Sequence, residues 1–160
     1  MYFAISKHHA GGVLSLLLLL CAIQAQAQTV VVKDAWIRGT VPGQSATGAF
    51  MELTGKSSAR LVAAESPAAK SVEVHNMTME GGVMKMFPVD GVDVPAGKTV
   101  KLAPGGYHIM MTGLQKALNA GEKVPLKLTF ELVDKKKEIV ELSVEVRDVR
   151  GKPVAHHHGH

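Results

Sequence analysis

The sequence predicts a single all-β domain, built as an antiparallel sandwich or barrel, and three observations lead to this prediction. Short runs of β-branched and apolar residues alternate with polar residues along most of the chain, which is the period-two pattern of half-buried strands. Gly, Pro, Asn or Asp separates these runs at short, regular intervals. The length of 160 residues is enough for one domain with its own hydrophobic core.

The expected strands follow one another from Val30 to Val146, and no segment has the pattern of a long amphipathic helix. Turn signals separate them, among them Pro42-Gly43, Glu80-Gly81-Gly82, Pro104-Gly105-Gly106 and Asn119-Ala120-Gly121. The expected strands are Val30–Arg38, Gly48–Leu53, Arg60–Glu65, Ser71–Met77, Val83–Phe87, Thr99–Leu102, Tyr107–Thr112, Val124–Val133 and Glu138–Val146.

Residues 1–27 have the features of a secretory signal peptide. They contain one Lys and no acidic residue, followed by an apolar run from Val13 and by Ala25-Gln26-Ala27. The run is shorter than the roughly 20 residues that a bilayer span needs, so we expect cleavage after Ala27 and a periplasmic protein without membrane insertion. Lipid attachment at Cys21 is the minor alternative, because Leu20 stands where a lipoprotein signal has a small residue.

We assign residues 28–150 to the β-domain and residues 151–160 to a flexible tail. If cleavage follows Ala27, the only cysteine leaves with the signal, so the mature chain has no disulfide and no thiolate ligand. A formal net charge of +4, with acidic and basic residues interspersed, is too weak to indicate a nucleic-acid partner.

Methionine is concentrated in one part of the chain. Of the eight methionines, all but Met1 and Met51 fall between Met77 and Met111. Strand alternation directs His75, His108 and Met110 away from the more apolar faces, and it places Met84 and Met86 together on one face of a third strand. Met111 and the single tryptophan, Trp36, are expected in the core.

Imidazole and thioether groups together favour Cu(I), because a neutral, soft sulfur binds hard cations poorly. A blue-copper electron-transfer site needs a cysteine thiolate, which the mature chain lacks. A zinc site would use Cys, further His or a carboxylate, and it would leave the methionines unexplained. Plain core packing remains the alternative for any single methionine.

Four of these residues stand in the spacing H-x10-M-x21-H-x-M: His75, Met86, His108 and Met110. Together with Asp34-Ala35-Trp36-Ile37-Arg38, Gly48-Ala49-Phe50-Met51, Ser66-Pro67-Ala68-Ala69 and the segment from Pro104 to Met110, this pattern resembles the periplasmic copper chaperone family PCuAC from about Val30 to Val146. The sequence departs from many members at Asn76, where they have a methionine.

The resemblance implies a cupredoxin-like Greek-key sandwich or barrel that binds Cu(I) through His75, Met86, His108 and Met110. It also implies a chaperone rather than an enzyme, which delivers copper to an oxidase subunit with a copper site in company with a thioredoxin-like assembly factor. Met77, Met79 and Met84 are expected to pack in the core or at the rim, and a role as spare sulfur ligands is the alternative for each. The alternatives are a secreted copper- or zinc-dependent redox enzyme and a plain β-sandwich binding module.

The chain ends in a cluster of histidines. Imidazole clusters suit Cu(II), so we expect an accessory Cu(II) site there. Its ligands would be His156, His157, His158 and His160.

Overall fold

The computed structural model describes residues 28–148, and within this range the regular structure consists of β-strands, with no helix. The prediction of an all-β domain is therefore confirmed. The strands are β1 (Val30–Arg38), β2 (Ala46–Gly55), β3 (Ala59–Glu65), β4 (Ala69–Glu80), β5 (Val83–Pro88), β6 (Val92–Val94), β7 (Thr99–Leu102), β8 (His108–Leu114), β9 (Lys123–Leu132) and β10 (Lys137–Arg147).

The strands form one hydrogen-bonded path in the order β5-β4-β8-β2-β1-β10-β9-β3-β6, and β7 pairs with β2 beside this path. All pairings are antiparallel except that of β1 with β10. Buried residues of β2, β8, β9, β10 and β3 belong to one core cluster. A flat sheet could not bring them together, so the sheet curls over its core, and β3 packs against β4 near the opposite end of the path.

Each expected strand is present, with shifts at the ends. β1 and β7 have the expected first and last residues. Tyr107 and Val133, which were expected at the ends of strands, lie just outside β8 and β9. The sequence did not predict β6, because a run of three residues between Gly91 and Pro95 is too short to show alternation. Residues 1–27 and 149–160, and with them the signal peptide and the histidine tail, lie outside the described residues.

A β-bulge in β1 changes which side chains face the core. The pairing with β2 shifts between Lys33 and Trp36, and Asp34 has a φ of 50°, a left-handed conformation that Asp tolerates better than most residues. Val30 is buried before the bulge and Ile37 after it, so the alternation changes phase. The expectation that Trp36 is a core residue is therefore wrong: the bulge turns it to the outer face.

The turn between β4 and β5 has two residues, Gly81 and Gly82, with φ angles of 58° and 78°. Both central positions of a type I′ hairpin turn need positive φ, which glycine adopts without a steric penalty. The turn places Glu80 opposite Val83, and thereby fixes the pairing of every residue further along the two strands.

We expect Gly82→Val to lower the free energy of unfolding by about 1–2 kcal/mol, since a Cβ disfavours the left-handed conformation. Gly82→Asn should lose much less, because Asn visits this conformation more readily. Urea unfolding measures the global effect, and amide hydrogen exchange in β4 and β5 measures the local one. Equal losses for the two variants would show that the turn does not need this backbone conformation.

Candidate metal site

The sequence-predicted histidines lie directly opposite each other on neighbouring strands. His75 of β4 pairs with His108 of β8, and Glu73 pairs with Met110. On the other side of β4, Met77 pairs with Met86 of β5. Directly opposed residues of antiparallel strands project from the same face, so all of these side chains share one face of β5, β4 and β8. The core side chains Val74, Ile109 and Met111 occupy the other face, and the expectation for Met111 is confirmed.

His108 is only 5% exposed, and each of its ring nitrogens has a close neighbour. Nδ1 lies 2.9 Å from the carbonyl oxygen of Gly106, and Nε2 lies 3.2 Å from the Met86 Sδ. A carbonyl can only accept, so the neutral ring carries its proton on Nδ1 and donates it to Gly106. The Nε2 lone pair then faces a sulfur that has no hydrogen.

The ring of His75 is held by a carboxylate. Its Nε2 lies 2.9 Å from the Glu73 Oε2, which can only accept when ionised, so Nε2–H is the donor. Its Nδ1 is buried and has no hydrogen-bond partner among residues 28–148. The ring centroids of His75 and His108 lie 5.9 Å apart. Each imidazole is therefore oriented by a neighbour that leaves one lone pair uncommitted.

A surface pocket of about 390 Å³ opens beside His108. Phe50 forms part of its wall, with its ring centroid 6.3 Å from that of His108. A Cβ on Gly48 would lie 2.8 Å from the Phe50 Cζ, so glycine there leaves room for the ring. The lining includes three predicted ligands and two further methionines: Met86, His108, Met110, Met77 and Met84.

Aromatic and cationic groups surround the Phe50 side of the pocket. Trp36 packs on Phe50 with a centroid distance of 4.5 Å. The Arg38 guanidinium carbon lies 5.5 Å from the Phe50 ring centroid. The carboxylate of Glu73, which is on β4 like His75, makes a hydrogen bond with the His75 ring. The site is thus largely apolar, with one carboxylate that orients a ring.

Sequence reasoning brought together the residues that the structure has on one face, but it missed those that orient them. Glu73 had a signal, because it lies two residues before His75 on the same strand. The roles of the Gly106 carbonyl and of Phe50 in the pocket wall had no signal in the sequence, since they depend on how the loops and β2 fold over β8. Among residues 28–148, no group of three or more His, Cys, Asp and Glu side chains is placed to hold a metal ion. The other soft donor groups around His108 are methionine sulfurs.

A model of the family described as "Putative lipoprotein LpqE-like" matches residues 30–146. The chain belongs to this LpqE-like family. A relative from Leifsonia xyli subsp. xyli, named "Putative lipoprotein Lxx21020", is 39% identical over 106 residues, or 66% of this chain. The aligned part covers 64% of that relative's length. No helix within residues 28–148 has the length and hydropathy to cross a bilayer.

Two solved structures show the same fold as this LpqE-like chain. The solution structure of CuI-DR1885 from Deinococcus radiodurans has a TM-score of 0.58 and 31% identity, and the match covers 79% of this chain and 83% of that one. The copper-bound PCuAC domain from PmoF2 has a TM-score of 0.57 and 21% identity, with 74% and 94% covered. These similarities confirm the resemblance to PCuAC domains.

We expect the two histidines to have different neutral tautomers in the metal-free protein. His108 should carry its proton on Nδ1, because Gly106 accepts from that nitrogen, and His75 should carry it on Nε2, because Glu73 accepts there. Long-range ¹H–¹⁵N correlation spectra at alkaline pH distinguish the tautomers. A His108 ring protonated on Nε2 would contradict the arrangement described here.

Proposed function

We propose that this protein is a copper carrier that binds Cu(I) through His75, Met86, His108 and Met110. The observation that carries the proposal is the contact between His108 Nε2 and Met86 Sδ, 3.2 Å apart. Two lone-pair donors that face each other repel unless a cation joins them. Ligand atoms about 2.0 and 2.3 Å from a tetrahedral metal lie about 3.5 Å from each other, close to this separation.

The donor set favours Cu(I) over other metals. Thioethers and neutral imidazoles are soft or borderline ligands, and they add no negative charge to the metal. The uncommitted Nδ1 of His75 supplies a second nitrogen donor beside His108. Two of the similar structures are named as copper-bound, one of them with Cu(I), which supports the assignment of copper to this chain.

Neutral ligands also suit a protein that must release its metal. The bound centre keeps the single positive charge of Cu(I), so a cysteine thiolate of an acceptor is attracted to it and can displace the thioethers one at a time. Met86, which is 46% exposed, is the ligand that an acceptor can reach first. From the PCuAC resemblance we propose that the acceptor is a copper centre of a respiratory oxidase, reached together with a thioredoxin-like assembly factor.

We further propose that the carrier works in the periplasm after cleavage behind Ala27. The family and the Leifsonia relative bear the name lipoprotein, which favours a second form, anchored through a lipid on Cys21. Either form leaves the β-domain on the outer side of the cytoplasmic membrane.

Met86→Leu and Met110→Leu should each raise the Kd for Cu(I) at least about tenfold, a loss of about 1.4 kcal/mol, because Leu keeps the apolar volume and removes the sulfur. Met51→Leu, which removes a sulfur from the core instead, is the matched control and should leave Cu(I) binding unchanged. Anaerobic titration against a Cu(I) chelator measures the Kd, and X-ray absorption should show two nitrogen and two sulfur neighbours. Unchanged binding in both variants would remove these methionines from the ligand set.

The tail forms a second proposal, a Cu(II) site made of His156, His157, His158 and His160. Removing residues 156–160 should abolish a Cu(II)-binding event and leave the Cu(I) affinity intact, because imidazoles alone favour the oxidised metal. Isothermal titration with Cu(II) and with Cu(I) separates the two sites. A truncated chain that still binds Cu(II) with unchanged stoichiometry would disprove the tail site.

A further inference from the structure

The β4–β5 hairpin carries four methionines in two directly opposed pairs. Met77 faces Met86 and Met79 faces Met84, because the Gly81-Gly82 turn fixes the register from Glu80 and Val83 onward. Strand alternation puts both pairs on the face that carries His75. The thioethers therefore form a row that begins at the tip of the hairpin and ends at the candidate metal site.

Core packing does not account for the pair nearer the turn, Met79 and Met84, which we call the outer pair. Met79 is 66% exposed and Met84 is 51% exposed, whereas the core methionines Met51 and Met111 are almost completely buried. β5 is also an edge strand, a position where proteins usually place charged residues to prevent edge-to-edge association.

The opposite face of the hairpin has a different composition. It presents no methionine but the following side chains: Asn76, Thr78, Glu80, Val83, Lys85 and Phe87. Methionine is thus restricted to the face shared with the histidines. A requirement for exposed apolar surface would be met equally well by Leu or Val, so this restriction points to the sulfur itself.

We propose that Met77, Met79 and Met84 form a second, outer Cu(I) site that receives copper and passes it to the inner site, an inference that rests on the proposed function. Directly opposed Cβ atoms lie about 4.5–5.5 Å apart and diagonal ones about 7–8 Å. Methionine has three rotatable side-chain bonds, so the three sulfurs can converge on one ion. Three thioethers suit Cu(I) and exclude hard cations.

The transfer inward is an exchange of ligands. A Cu–S bond to Met86 forms as one to Met79 or Met84 breaks. Met77 is close to both the old and the new ligand, because it lies opposite Met86 and two residues from Met79 along β4. Copper stays in the Cu(I) state throughout, so no electron donor is needed. The inner site adds two imidazoles to its sulfurs, and this difference drives the ion toward His75 and His108.

Two cationic side chains lie near the outer methionines: Lys85 on the hairpin, and Arg38, which lines the same pocket as Met77 and Met84. Lys85, the basic residue between Met84 and Met86, makes an ion pair with Glu80, with Nζ 2.6 Å from Oε2. Both residues lie on the face opposite the methionines, since their neighbours Met79 and Met84 alternate with them along the strands. The charge of Lys85 is therefore compensated on the opposite face, and on the methionine face the Arg38 guanidinium packs on the Phe50 ring.

The test is an anaerobic titration of the full chain, with methionine methyl groups labelled with ¹³C, using Cu(I) held by a competing chelator. The first equivalent should shift the methyl signals of Met86 and Met110, and the second should shift those of Met79 and Met84. Signals of Met79 and Met84 that stay in place at two equivalents would overturn the outer site. That result would leave the inner site standing, whereas unmoved signals of Met86 and Met110 would overturn the proposed function itself.

A double variant, Met79→Leu with Met84→Leu, removes two sulfurs and keeps the apolar surface. It should lose the second Cu(I) equivalent and keep the affinity of the first, and it should load from the chelator at least severalfold more slowly. Phe87→Leu on the opposite face of the hairpin is the matched control and should retain both equivalents and the wild-type rate. Loading at the wild-type rate by the double variant would overturn the role of the outer site in copper uptake.

Discussion

The site depends on the register of β4, which pairs with β5 on one side and with β8 on the other. Side chains alternate along a strand, so a slip of one residue in either pairing would move His75 or its partners to the core face. Two features prevent the slip. The two-residue turn fixes the register of β4 with β5, and the burial of Val74 with Ile109 and Met111 fixes the register of β4 with β8. The metal-facing arrangement is thus set by the same apolar contacts that stabilise the fold.

Orientation of the imidazoles is a separate matter from their placement. A histidine on a strand can rotate about its side-chain bonds, and either ring nitrogen can carry the proton. Here Gly106 and Glu73 each accept from one nitrogen, so the lone pairs of His108 Nε2 and His75 Nδ1 remain available. The partners differ in kind: a backbone carbonyl is fixed by its loop, whereas Glu73 is an exposed side chain that must lose rotamer freedom to hold its ring. The buried ring is therefore the better organised of the two.

Period-two alternation was sufficient to predict the fold class, most strand positions and the placement of His75, His108 and Met110 on the less apolar faces of their strands. It failed where the backbone leaves the regular pattern. The bulge at Asp34 reversed the phase of β1 and brought Trp36 onto Phe50, and nothing in the local composition distinguishes that tryptophan from a core residue. Alternation also says nothing about which strands are neighbours. The distinction between Met86 and Met84 depends on that neighbourhood, because the register puts Met86 one pair closer to His75.

The proposed ligand set has a gradient of exposure that bears on metal release. His108 is almost fully buried and the His75 side chain is 12% exposed, while Met86 projects from an edge hairpin whose outer strand is exposed along its whole length. The outer strand β5 is bonded to the rest of the sheet on one side only, through β4, so it opens at lower cost than the central strands. Opening would withdraw Met86 and leave the two imidazoles in place on β4 and β8. In the proposed carrier, one sulfur could then leave without disturbing the core. The vacated coordination position would face solvent, where an incoming thiolate could bind before the histidines release the metal.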